Sequence, residues 1–551
     1  MRALSIFISI LLLSACSHST QERKNIFRYN ESKGIPTLDP AFARNQTIIW
    51  PVNQIFNGLL QLDRDLLVQP CIAKKWECNI DGTEYTFYLR KDVYFHKHPA
   101  FPMGKGRRVI ASDFVYSLTR IIDPDLASPG KWIFNSVNRE VPGSEQGFLA
   151  VSDTVLKIFL KEPFPGFPGL LTMPYCSVVP KEIIESIGED FRKQPVGTGP
   201  FRFQYWREDE KLVLLRNEDY FETDAEGKRL PYLDAVNISF TRDKQSEFME
   251  FMMGRLDFLS GVHAAYKDEM IMRNGRLNPA HDEKVKMISQ PYLNTEYLGF
   301  LLDPELKAAQ ESPLLIKEVR QAINYGFDRA KMMKYMRNNI GQPANAGFVP
   351  AGMPSFNPVR VVGYRYDPDY ARELLSVAGF PGGEGLPEIT LTTTSDYLDL
   401  CEYIQHELYE IGIVLNLEVN TGAAFRDRMA NGQLEFFRGS WIADYPDAEN
   451  YLSVFYSMNH SPAGPNYTRF TDPVYDSLFE TALQALDKDF RYRIYWQLDS
   501  MIMEEAAIVP LYYDQVVRFV PKDLKGLGSN PMNLLDLKRA YWSPPGLRVK
   551  N

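Results

Sequence analysis

Cysteine and histidine are scarce in this chain, at five and seven among 551 residues. So few thiols exclude a disulfide-stapled scaffold, and so few imidazoles leave little material for a metal centre of spaced His and Cys ligands. An excess of positive charge is lacking too. The formal net charge is −9, which argues against a nucleic-acid partner or a polybasic lipid-binding face. Beyond the first fifteen residues there is no long hydrophobic run. The longest later stretch without charge, 338–359, is broken by Gly341, Pro343, Gly347, Pro350, Gly352 and Pro354 and reads as a loop. Enzyme signatures are missing as well: no G-x-S-x-G, no G-x-x-x-x-G-K-[ST], no H-E-x-x-H. Acid–base pairs stay open, because 70 acidic residues offer many coincidental ones.

What the chain does have begins at its N-terminus. Arg2 is followed by a mostly apolar run from Ala3 to Leu13 and then by Ser14-Ala15-Cys16. The segment is too short to span a bilayer and reads as a secretory signal peptide. Leu13-Ser14-Ala15-Cys16 resembles the bacterial lipobox, which implies lipidation of Cys16, and the polar residues 16–24 would serve as the tether. Two or more acyl chains on one residue hold a protein stably at a membrane surface. The expectation is an extracytoplasmic, membrane-anchored lipoprotein, in the periplasm or at the cell surface.

A chain of this length exceeds what one hydrophobic core serves, so two or three domains are expected. The clearest unit lies in the C-terminal half. Glu388 to Thr394 is β-branched and reads as a strand; Leu398, Cys401, Ile404, Leu408 and Ile411 recur at helical spacing before Gly412. Ile413 to Val419 is a second strand, Ala423 to Ala430 a short helix and Leu434 to Trp441 a third strand, which together make a parallel α/β pattern. Upstream, Asp367-Pro368 starts a helix that Gly379 ends, and another helix is expected over 316–336. The N-terminal half is richer in strands, with Tyr85 to Leu89 alternating and Val155 to Leu160 extended. Ser112 reads as the cap of a helix ending before Pro124. The fold class expected is mixed α/β with an antiparallel-rich insert.

Few residues suggest chemistry. His96 and His98 could share a metal, although a solvated pair is the simpler reading, and His406-Glu407 reads as an exposed helix face. Gly197-Thr198-Gly199 reads as a tight turn, lacking the lysine and helix of a phosphate loop. Cys71 and Cys78 are the nearest thiol pair, with their pairing left open; Cys401 reads as a buried free thiol. One segment stands out: Trp441-Ile442-Ala443-Asp444-Tyr445-Pro446-Asp447. It leaves the carboxyl end of the third strand, where open α/β sheets bind ligands. Asp444 between Trp441 and Tyr445 suits a primary ammonium. It equally suits a turn cap before Pro446, and from these residues alone both readings stand.

An ordered series of motifs then resembles the extracytoplasmic solute-binding proteins of oligopeptide and dipeptide ABC importers. It runs through Pro36-Thr37-Leu38-Asp39-Pro40, Gln54 to Leu60, Trp76-Glu77 and Asp81 to Phe87. It continues through Ala111 to Ser117, Gly197 to Pro200, Val319 to Ile323 and Trp441 to Tyr445. The resemblance implies a periplasmic-binding-protein-like, two-lobed fold with an additional inserted domain, three domains in all. Domain I would comprise 25–60, 185–285 and 516–551, domain II 61–184 and domain III 286–515. It implies that Asp444 pairs with a peptide's α-ammonium and that Gly439, Trp441 and Ala443 offer backbone groups to an extended ligand. Arg44 and Asn45 would contribute from the other lobe, with Tyr445 flanking the site. The partners implied are a peptide and an ABC permease with its ATPase subunits; no cofactor, metal or catalytic residue is expected, and the chain should be a monomer. Departures from the pattern at Lys97-His98, over residues 99–108 and in the loop 338–359 bear on the ligand. Relatives of this fold bind nickel chelates, haem, glutathione or oligosaccharides, so a non-peptide solute stands as the alternative. An extracytoplasmic hydrolase and a sensory or adhesive lipoprotein stand behind it.

Overall fold

The computed structural model describes residues 25–543 except 262 and 264. The signal segment and Cys16 therefore lie outside the described residues. Three principal sheets organise the rest. In the first, Ile26–Asn30 runs parallel to Ala235–Ser239, which continues through Lys211–Arg216 to Phe201–Arg207. Its edge strand thus comes from a segment some two hundred residues before its neighbour. The second sheet is antiparallel, ordered Ala73–Cys78, Glu84–Leu89, Val155–Phe159 and Phe148–Ser152. Tyr85, Phe87 and Leu89 point inward while their neighbours stay half-exposed, the period-2 pattern of a strand with one buried face.

The third sheet contains the expected α/β unit. Ile389–Thr393 pairs in parallel with both Leu415–Val419 and Phe436–Ile442, with helices Leu398–Tyr409 and Gly422–Ala430 as the crossovers. Leu400, Cys401, Ile404 and Leu408 pack inward, and Gly412 adopts φ +95°, which only glycine takes without strain. Asp367 caps the helix Pro368–Val377 as read from the sequence, accepting the Tyr370 N–H at 3.0 Å. Two long strands extend this sheet: Val285–Phe300 runs antiparallel to Phe436–Ile442, and Ile508–Pro521 runs antiparallel to Val285–Phe300 in turn.

Several local expectations are corrected. Ser112 lies inside the helix Ala111–Ile122, and it is Asp113 that reaches back to accept the Ile110 N–H at 2.8 Å. The span 316–336 is two helices, Lys317–Tyr325 and Arg329–Met336. Asp328 caps the second through the N–H groups of Ala330 and Lys331. Glu407 is buried and pairs with Lys331 at 2.7 Å, while only its neighbour His406 is exposed. Cys71 and Cys78 are free thiols, one buried and one exposed. The extended strand Ala73–Cys78 separates them by far more than the roughly 7 Å a disulfide tolerates between Cα atoms. Cys401 is a buried free thiol as read. No helix among the described residues is long and apolar enough to cross a membrane.

Candidate functional site

The strand Phe436–Ile442 is central to the third sheet, yet it is paired unevenly. One edge is zipped along its length to Asn294–Phe300; the other meets Ile389–Thr393 only at Phe436 and Phe437. From Arg438 onward that second edge has no strand partner among the described residues.

Register decides which backbone groups face that edge. The Ala443 N–H donates to the Leu293 carbonyl at 2.9 Å. Alternation in an antiparallel ladder sends the N–H and C=O groups of Trp441 and Gly439 the same way, toward Thr295 and Tyr297. The expectation that Gly439, Trp441 and Ala443 offer backbone groups to a ligand is therefore corrected. The unpaired edge carries those of Arg438, Ser440 and Ile442. Gly439 has a packing reason instead: a Cβ there would lie 2.4 Å from the Tyr297 ring.

Asn450 organises the turn that follows. Its Oδ1 accepts the Trp441 indole N–H at 3.1 Å and the Asp444 backbone N–H at 3.3 Å, and the Tyr451 hydroxyl donates to the Trp441 carbonyl. The capping task belongs to Asp447, which accepts the Glu449 N–H at 3.1 Å and the Tyr495 hydroxyl at 2.7 Å. Asp444 therefore does not cap the turn, and its carboxylate is tied to it through Asn450. Its side chain is solvent-accessible but hemmed in by protein, which raises its pKa; a hydrogen bond with Asn450 partly offsets this. Among the described residues it forms no ion pair.

Tyr175 links the two predicted halves of the site. Its hydroxyl is pushed up to about 12 by burial and by the charge of Asp444, and Arg44 acts on it in the opposite sense. Asp444 and Arg44 therefore act on one phenol. Arg44 is exposed and lines a broad cavity of about 1440 Å³ together with Asp39, Phe42 and Arg120. Asn45 faces a different cavity of about 660 Å³, and its Oδ1 is engaged as the cap of helix Gln46–Ile55, accepting from Ile48 and Thr47. Tyr445 is buried, its ring centroid 6.3 Å from that of Trp132, so it clamps the turn against the segment carrying the second sheet.

The sequence reading passed over a buried charged group under the same strand. Arg438 is ion-paired with Glu296 and its guanidinium lies 3.2 Å from the Tyr397 ring centroid. Arg337 pairs with Asp514 at 2.6 Å in the same network. Burial raises the Glu296 pKa against the opposing pull of Arg438. The one available signal was an arginine inside an otherwise apolar strand.

The histidine pair is corrected too. His96 is buried, its Nε2 lies 2.9 Å from the Gly199 carbonyl and its Nδ1 accepts the Gly197 N–H at 3.4 Å. These contacts fit a neutral ring, and burial lowers its pKa to about 4. The two glycines are there for close approach: a Cβ on Gly197 would lie 2.1 Å from the Ile55 carbonyl. Among the described residues no three His, Cys, Asp or Glu are grouped to hold a metal ion.

Comparison with known proteins adds the following. The family model of bacterial extracellular solute-binding proteins, family 5, matches residues 68–463. Heme-binding protein A of Haemophilus influenzae is 26% identical, covering 96% of each chain. The dipeptide-binding protein DppE of Bacillus subtilis is 25% identical, covering 95% of this chain and 92% of its own. The solved structure of HbpA2 from Haemophilus parasuis superimposes with a TM-score of 0.80 at 23% identity, covering 94% of this chain and all of that one. That structural likeness speaks for the fold.

Proposed function

The chain belongs to the family 5 extracellular solute-binding proteins of bacteria, and from that premise we propose that it captures di- or oligopeptides between its lobes for an ABC importer. The observation that carries this reading is Asp444: a solvent-accessible carboxylate without an ion-pair partner among the described residues, set at the end of a strand whose adjoining edge is unpaired. A peptide's ammonium answers the first feature, and its backbone, laid along Arg438, Ser440 and Ile442 as an added strand, answers the second. Recognition through terminus and main chain tolerates varied side chains, especially where water fills the remaining space. A contribution from Arg44 is supported by its acting on the same Tyr175 hydroxyl as Asp444. The permease and its ATPase subunits then receive the ligand after lobe closure. Cys16 is the proposed lipid attachment that keeps the protein at the membrane, and the division into a discontinuous domain I, an inserted domain II and an α/β domain III is part of the same reading.

The test is calorimetry with short peptides of free or acetylated N-terminus. Saturable binding that acetylation weakens at least tenfold supports the reading; equal affinity for both forms rejects this site. The kinship with a haem-binding protein makes haemin the comparator. A Soret shift at stoichiometric haemin, with no peptide binding, would replace the peptide by a porphyrin.

A further inference from the structure

A second polar cavity lies at the other end of the same strand. It has a volume of about 370 Å³, and its lining includes Asp303, Arg320, His460, Arg469, Thr471 and Glu505. Leu301 and Leu302 bond to Glu435 and Thr468 there, so the cavity adjoins the start of Phe436–Ile442 while Asp444 follows its end. At about 3.3 Å per residue, roughly 20 Å separate the two.

Arg469 is the unusual member. Its backbone sits at φ +55°, the left-handed region that a residue with a Cβ avoids. Its Nε is buried with no hydrogen-bond partner, and among the described residues its guanidinium makes no ion pair. Arg320 stands beside it, buried and held by main-chain carbonyls of Leu314, Leu315, Glu505 and Ala506. Of the cavity's two acids, Glu505 pairs with Lys317 at 2.8 Å and also attracts Arg320, and Asp303 accepts the Glu305 N–H at 3.0 Å. His460 and Thr471 bond to each other at 3.2 Å on the same wall. Arg469, with no ion pair among the described residues, supplies the free guanidinium, and the positive charge of Arg320, whose hydrogen bonds are spent on the main chain, adds to the field. With walls of leucine, proline and phenylalanine, this matches an anion carried on a small organic body.

We propose that this cavity is a second ligand site, for an organic phosphate, with Arg469 as its main contact. Its ligand could be a soluble phosphate ester or the headgroup of an anionic phospholipid, both offering the same tetrahedral oxyanion. The proposal does not depend on what the Asp444 site binds.

The test titrates the full chain, in detergent-free buffer, with inorganic phosphate, with glycerol 3-phosphate and with nanodiscs containing phosphatidylglycerol. Wild type, Arg469→Gln and Arg469→Gly are compared. The glycine variant removes the guanidinium while relieving the left-handed backbone, so it should melt no lower than wild type. Saturable binding that both variants weaken roughly ten- to a hundredfold supports the site. Binding of glycerol 3-phosphate identifies a soluble ester; Arg469-dependent binding of the nanodiscs alone identifies the membrane. If wild type binds none of the three, or if either folded variant binds as tightly as wild type, the proposal fails.

Discussion

The buried guanidinium of Arg518 donates to both oxygens of Asn533, to Oδ1 at 2.9 Å and to the main-chain carbonyl at 3.2 Å. That same carbonyl accepts the indole N–H of Trp50 at 2.9 Å. Arg518 belongs to the long strand Ile508–Pro521 of the third sheet and Trp50 to helix Gln46–Ile55, which packs with the first. One arginine, placed near the Trp50 and Phe258 rings and bonded to carbonyls of Gly528 and Leu534, therefore ties the two halves through the returning C-terminal segment.

Removing this tie should be costly. Arg518→Met leaves several buried carbonyls without donors, and a loss of about 3 kcal/mol is expected. Trp50→Phe removes one hydrogen bond, for about 1 kcal/mol. Denaturant midpoints of the two variants, with m-values checked, measure both; a change within error for Arg518→Met would show that the tie contributes nothing.

Peptide affinity should depend on acidity in a particular sense. Burial raises the Asp444 pKa above the usual aspartate value, so its charge is lost at a higher pH than an exposed aspartate's. Affinity for peptides with a free N-terminus should fall as pH drops through that raised value, and Asp444→Asn should abolish the dependence while lowering affinity about tenfold or more. Calorimetric titrations at a series of acidic pH values decide this.

Amide exchange should reveal the register. The N–H groups of Gly439, Trp441 and Ala443 lie in the ladder with Leu293, Thr295 and Tyr297 and should exchange slowly with or without ligand. Those of Ser440 and Ile442 face the unpaired edge and should become protected only when peptide is bound. Protection of both sets in the free protein would mean that another segment covers the edge.

His96 should make the protein sensitive to acid. Its folded-state pKa is lowered by burial to about 4, against 6.5 for the free side chain. Between these values the unfolded chain binds the proton and the folded one does not, so stability falls as pH decreases from about 6.5 to 4. His96→Gln, which keeps a donor near Gly199, should flatten that part of the profile, as melting temperatures across the window would show.

Much of the fold could be read from the chain because local elements are written in local patterns. The alternation of Tyr85, Phe87 and Leu89, the Asp367-Pro368 helix start and the run from Ile389 to Trp441 each expose one apolar face at a fixed period. The position of Asp444 beyond a parallel strand followed from the same logic.

What lay beyond reach was everything that depends on which distant surface covers a given face. Glu407 looked solvated until Lys331 was seen across from it, and His96 until the Gly197 to Gly199 loop closed over it. Likewise, no local pattern says that Val285–Phe300 would claim one edge of the Asp444 strand and turn the backbone groups of Gly439, Trp441 and Ala443 away from the other. Periodicity within a segment fixes which side chains share a face. Register, burial of charge and the direction of each N–H are set by pairing between segments far apart in the chain, and those only the tertiary structure decides.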